Sequence, residues 1–165
     1  MIHDFFAVSG GRKRGGLDVL DWSLPVQDFV RSHRIARLAT VDAAGHPLVL
    51  PICYVVLDET LYSPTDAKPK RVPVQRLKRL QNIRANPRVA LVIDDYHEDW
   101  TQLSYVLLQG RAEILTDGPA FEQAIVALRD KYPQYRAMPI HENPMIAVHL
   151  TRVVSWGAVN RAGPS

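Results

Sequence analysis

The sequence predicts an α+β chain built on a closed or nearly closed antiparallel barrel of six short strands with helices at its periphery. Three observations lead there. Six β-rich runs (Ile35–Val41, Pro47–Leu57, Thr60–Ser63, Arg88–Asp94, Leu103–Leu115 and Met145–Val154) are joined mainly by turns of hairpin length. The elements run helix, three strands, helix, two strands, helix, strand, an α+β order rather than a Rossmann one. Neither G-x-G-x-x-G nor a P-loop pattern occurs, so the two commonest nucleotide cradles are absent from the sequence.

Residues 1–20 read as a flexible N-terminal extension, because SGGRKRGG places four glycines and three cations within eight residues. Residues 21–165 are expected to form a single domain. Ser23 is a plausible N-cap, and with Pro25 it opens a short helix to about His33 that turns Val26, Phe29 and Val30 inward. Ile35–Val41, an Asp42-Ala43-Ala44-Gly45 turn and Pro47–Leu57 read as a hairpin, and Asp58-Glu59 turns the chain into Thr60–Ser63. A helix is expected to open near Pro73 and close at Asn86-Pro87, with Val74, Leu77, Leu80 and Ile83 as its buried stripe. The continuous apolar run RVALVID at Arg88–Asp94 predicts a strand buried on both faces. Asp95–Thr101 is a loop, Leu103–Leu115 is a strand bent at Gly110, and Pro119–Tyr132 is a helix with Phe121, Ile125 and Leu128 inward. Met145–Val154 closes the set.

Composition narrows the function classes. At 165 residues, 47% hydrophobic and 22% charged, the chain has the make-up of a globular protein, and no apolar run approaches the roughly 20 residues of a membrane span. Cys53 is the only cysteine and the N-terminus lacks the order of a secretion signal, so a reducing, cytoplasmic setting is expected. His97 and His149 have no partners at metal-ligand spacing, so no metal is expected.

Charge is distributed unevenly. Lys68, Lys70, Arg71, Arg76, Lys78, Arg79, Arg84 and Arg88 fall in a stretch with no Asp or Glu from Ala67 to Ile93. Without these eight, the 20 Lys and Arg fall to 12 against 17 Asp and Glu, leaving the remainder at −5. A local positive field at a strand-to-helix turn suits one anionic group, a phosphate above all, as well as it suits a solvated basic helix face. The helix carries no aromatic residue from Ala67 to Arg88, which argues against nucleic acid as the partner.

The succession IARLATVDAAGHPLVLPICYVV, LYSPTD, KPKR, LKRLQNIRANPRVALVIDDY and VLLQGRAEIL resembles the pyridoxamine 5'-phosphate oxidase-like FMN-binding split barrels. Within them it is most similar to the actinobacterial branch of deazaflavin (coenzyme F420)-dependent oxidoreductases. The resemblance spans about Ile35 to Trp156. It implies a Greek-key split barrel and a homodimer with the cofactor between subunits. It also implies that Lys68, Lys70 and Arg71 hold the phosphate, with Ser63 and Thr65 as hydroxyl donors and Lys78 further out at the mouth. The Pro51, Ile52 and Cys53 segment then offers backbone contacts beneath the ring. The resemblance further implies that Trp100 and Trp156 cover the ring or line the pocket from the partner subunit, with Tyr105 also at the cofactor. The chain departs from the family in two places. It ends SWGAVNRAGPS without the Arg-Leu-His-Asp element of the oxidases that make pyridoxal phosphate, and Tyr105 stands where those oxidases keep a cofactor-contacting Gln.

These implications give a reductase that passes a hydride from reduced deazaflavin to a conjugated small molecule. An FMN-dependent oxidase or reductase and a non-catalytic FMN or haem carrier are the alternatives. For each residue a plainer role stands beside the functional one. Trp156 also fits a core or interface aromatic, Cys53 a small buried hydrophobe, and the acids of Asp94–Asp99 a solvated loop.

Overall fold

A computed structural model describes residues 20–65 and 76–160. The elements in order are α1 (Leu24–Ser32), β1 (Ile35–Val41), β2 (Pro47–Cys53), β3 (Val55–Leu57), β4 (Thr60–Pro64), α2 (Lys78–Ala85), β5 (Arg88–Asp95), β6 (Ser104–Leu115), α3 (Pro119–Lys131) and β7 (Met145–Gly157). All strand pairs are antiparallel, in the order β2-β1-β5-β6-β7-β4-β3. The α+β class is as expected, but the sheet has seven strands, not six.

The extra strand comes from one residue. Pro47–Leu57 reads as a single apolar run, yet it supplies both edges of the sheet, β2 and β3, separated only by Tyr54. The sheet is therefore curled, and the chain crosses its split at Tyr54. There the backbone pairs with a side chain: the Tyr54 amide donates to Tyr132 Oη at 3.0 Å, and that hydroxyl lies 2.8 Å from the Tyr54 carbonyl. Alternation alone carries no sign of such a break.

Local chemistry shapes the connections. The β1–β2 turn is held by the Asp42 carboxylate, which accepts from the amides of Ala44 and His46 at 2.9 and 3.0 Å. Lys78 Nζ reaches the same carboxylate at 2.9 Å, and with these donors it keeps Asp42 well below the usual carboxylate range. The bend in β6 falls at Gly110 as its sequence suggests, through a register shift at Gln109/Gly110 against β7. The bounds of α2 are Lys78–Ala85; Pro73 and Val74, expected in its first turn, lie outside the described residues.

Two apolar clusters form the core. One fills the concave side of the sheet with Leu38, Leu91, Ile93, Val106, Leu108 and Val148, capped by Val26 and Val30 of α1 and Leu80 and Ile83 of α2. The other packs Phe121, Ala124, Ile125 and Leu128 of α3 on Val55, Tyr62, Met145 and Ala147. The expectation that β5 is buried on both faces is corrected. Val89, Leu91 and Ile93 are buried, whereas Ala90 and Val92 on the convex side are half-exposed in the single chain.

At the junction of α3 with β1, Lys131 Nζ lies 4.3 Å from the Tyr54 ring centroid and donates to the His33 carbonyl at 2.6 Å. Burial first, and then the Arg34 guanidinium, pull Lys131 from 10.5 down to about 8. Between these values the unfolded chain holds a proton that the folded chain has shed, so stability rises with pH across that window. Above pH ~10 the sign reverses, because burial raises Tyr132 to about 12 and Tyr54 higher still, so the folded chain keeps protons that the unfolded one loses. Chemical denaturation from pH 7 to 11 is therefore expected to show a maximum near pH ~9–10. Its rising limb should be shallower than ~1.4 kcal/mol per pH unit, because Lys131 is partly solvated. The limb should vanish in Lys131→Gln.

Candidate functional site

The convex face of the sheet gathers three of the predicted site residues, Pro51, Tyr105 and Trp156. Across the strands Pro51 pairs with Arg37, Arg37 with Val92, Val92 with Leu107 and Leu107 with Val154. One step along, Asp94 pairs with Tyr105 and Tyr105 with Trp156. Paired residues share a face, so Pro51, Tyr105 and Trp156 stand on the same surface. The Tyr105 and Trp156 rings stack with centroids 5.6 Å apart and 19° between planes. Arg37 forms an ion pair with Asp94 within this surface. Sequence reading missed that pair, although a single Arg in the apolar alternation of β1 was its visible sign.

Strand β2 is paired on one side only, by β1. Its other edge leaves the backbone along Pro51–Cys53 without a strand partner, so hydrogen-bonding groups of a flat ligand could be read there. The Ile52 side chain points into the concave core and is 6% exposed, which leaves this residue only its backbone for such a contact. Cys53 is half-buried and packs at the margin of the α3 cluster.

Other predicted residues are placed differently. Lys78 is tied to Asp42 across the β1–β2 turn rather than free at a mouth. The Thr65 hydroxyl donates to the Pro144 carbonyl, and its side chain is fully buried. Ser63 is buried within β4, opposite Ile146. Trp100 sits in a short 3-10 turn, Trp100–Gln102, between β5 and β6 and is 61% exposed. Asp99 fixes that turn by accepting from the Thr101 amide and hydroxyl at 3.0 and 2.8 Å and from the Gln102 side-chain amide at 3.0 Å. These bonds hold its carboxyl below the ordinary value. Lys68, Lys70 and Arg71 lie outside the described residues. Among the described residues no group of three or more His, Cys, Asp or Glu is placed to hold a metal ion, and no helix is long and apolar enough to cross a membrane.

The pattern matches known proteins. The family model for pyridoxamine 5'-phosphate oxidase matches residues 25–157, from the start of α1 to the end of β7. The chain belongs to this family. A 5a,11a-dehydrotetracycline/5a,11a-dehydrooxytetracycline reductase of Streptomyces rimosus is 27% identical over 130 residues, 78% of each chain. A conserved hypothetical protein of Mycobacterium tuberculosis shares the fold with a TM-score of 0.68 at 22% identity, over 93% of this chain and 96% of that one. A FAD-binding protein of Mesorhizobium loti does so at 0.61 and 22%, over 81% and 92%. This pyridoxamine 5'-phosphate oxidase-family chain is thus related, at family level, to oxidoreductases of flavin type.

The residues present fit such a cofactor. A stacked aromatic pair on β6 and β7 and, on the same face at the sheet's open β2 edge, unpaired backbone groups offer a surface for a planar ring and polar partners for its rim.

Proposed function

We propose that the protein is a coenzyme F420-dependent reductase acting on a conjugated small molecule. Tyr105 is the observation that carries this reading. It stacks on Trp156 within the candidate site, where the resemblance puts a flavin-contacting Gln in the FMN oxidases. The family and the reductase relative support the reaction type. The cofactor supplies the hydride. One copy of the chain would supply the β2 edge at Pro51–Cys53 to orient the ring, and a second copy the Tyr105–Trp156 pair to cover it and shed water. Lys68, Lys70 and Arg71 would hold its phosphate.

A homodimer completes this reading. The convex face carries Ala39, Val49, Ala90, Val92 and Leu107, with Val49 58% exposed. An apolar sheet face of that width in a single chain calls for a cover, and a second copy laid on it would enclose the ring between subunits.

Parallel titration with F420 and FMN, followed by cofactor fluorescence, tests the choice. Tight binding of the deazaflavin alone is expected, with hydride transfer to conjugated acceptors. Preference for FMN would move the protein to the flavin enzymes, and uptake of haem without turnover to the carriers. Lys68→Ala/Lys70→Ala should weaken cofactor binding at least tenfold, about 1.4 kcal/mol, while leaving the circular dichroism spectrum unchanged. Equal affinity in the double variant would remove the phosphate assignment.

A further inference from the structure

We infer that Tyr132 is the residue that positions the cofactor-reading strand: its hydroxyl clasps the split of the barrel at Tyr54 and so fixes the backbone of Pro51–Cys53. This role rests on the oxidoreductase reading and belongs to a residue that no motif marks. At the crossover from β2 to β3 the Tyr54 amide has no strand neighbour and donates to Tyr132 Oη at 3.0 Å. The Tyr132 hydroxyl lies 2.8 Å from the Tyr54 carbonyl and 2.7 Å from the Arg34 carbonyl, so one proton serves two acceptors. A single phenol therefore links α3, the start of β1 and the join of both edge strands.

The surrounding groups hold that phenol and the Tyr54 ring in place. Tyr132 is 5% exposed and Tyr54 fully buried, with Tyr54 Oη donating to the Val30 carbonyl at 2.5 Å. Arg34 donates to the Lys131 carbonyl at 2.8 Å and lies 5.7 Å from the Tyr132 ring centroid, while Lys131 Nζ covers the Tyr54 ring. Burial raises Tyr132 to about 12, which keeps the hydroxyl a donor across the physiological range.

The consequence is local. Ile35 is the β1 partner of Cys53 and ends the β1–β2 ladder, and β3–β4 pairing resumes at Val55 opposite Tyr62, so at Tyr54 the Tyr132 hydroxyl takes the place of a strand partner. Without the hydroxyl, the Tyr54 amide and carbonyl would lose their shared partner, and the C-terminal end of β2 would loosen where its ladder ends at Cys53. A hydrogen-bonding edge that loosens loses directional contacts to a planar ring much faster than it loses fold stability.

Tyr132→Phe deletes only the hydroxyl, and Leu128→Ala, fully buried in the helix that Tyr132 caps, is the control for general loosening of α3. In protein without added cofactor, hydrogen exchange at the Tyr54 amide and its neighbours in 51–55 should speed up at least tenfold in Tyr132→Phe, with β5 and β6 unchanged. In titrations with F420 and FMN, Tyr132→Phe should bind the preferred cofactor at least tenfold more weakly and shift the visible absorption of the bound ring. Leu128→Ala should bind with wild-type affinity and spectrum. Unchanged exchange at Tyr54 overturns the clasp. Equal weakening in both variants, or wild-type affinity in Tyr132→Phe, overturns the positioning role. A wild-type protein that binds neither cofactor sinks the oxidoreductase reading instead, and the exchange measurement then decides the clasp by itself.

Discussion

Gly157→Ala is expected to destabilise the protein by about 2–4 kcal/mol and to weaken cofactor binding with it. Gly157 ends β7 with φ at 80°, in the left-handed region that side chains avoid, and a Cβ there would lie 1.9 Å from the Leu103 carbonyl oxygen. That oxygen belongs to backbone held in the ladder, since Ser104 pairs with Gly157 and Ala158 donates to Leu103 at 3.1 Å. It cannot swing aside as a side chain would. The end of β7 must move, and Trp156, the preceding residue, moves with it and unstacks from Tyr105. Urea unfolding compared with Gly118→Ala separates the causes. Gly118 also has a positive φ, 97°, but an added Cβ there meets nothing within 4 Å. Gly118→Ala should therefore show only the conformational cost, about 1–2 kcal/mol, and leave cofactor affinity alone. Equal losses at both sites would mean that the Leu103 contact relaxes freely.

Leu107→Lys is expected to turn the proposed dimer into a monomer and, with it, to abolish tight binding of the proposed cofactor. Leu107 lies in the middle of the convex face, between Val92 and Val154 in the ladder. It belongs to neither core cluster of the single chain. An ammonium there stays solvated in the monomer but would be buried unpaired in a face-to-face dimer, a cost of about 3–5 kcal/mol, or more than a hundredfold in association. Sedimentation equilibrium reads the change directly, with circular dichroism showing that the barrel persists. A dimer that survives would place the interface elsewhere and leave the convex face without its assigned cover.

Parts of this architecture were legible because they depend on short-range pattern. The helices at α1 and α3 announce themselves by Val26 and Val30, and by Phe121, Ile125 and Leu128, at helical spacing with Pro25 and Pro119 at their openings. The bend at Gly110 was legible for the same reason, a glycine amid β-formers. The seventh strand was not. Tyr54 continues the run of Pro47–Leu57 without interruption in hydropathy, and what divides that run is a hydroxyl 78 residues away. The burial of β5 was overread because an apolar run states only that a strand can be covered twice, not that one copy of the chain supplies both covers.

The site divides along the same line. Tyr105, Trp156 and Pro51 could be nominated from sequence, but only the antiparallel register puts them on one face, since adjacent strands convert distant positions into neighbours. Lys78 shows the converse: its charge was legible, yet folding the β1–β2 turn against α2 gives it to Asp42. Residue order alone was enough for the α+β class, the helix faces, the local concentration of positive charge and the family. Folding in three dimensions settled which edges stay open, which charges are already matched and which aromatic rings meet, because each of those depends on contacts between segments that no local pattern encodes.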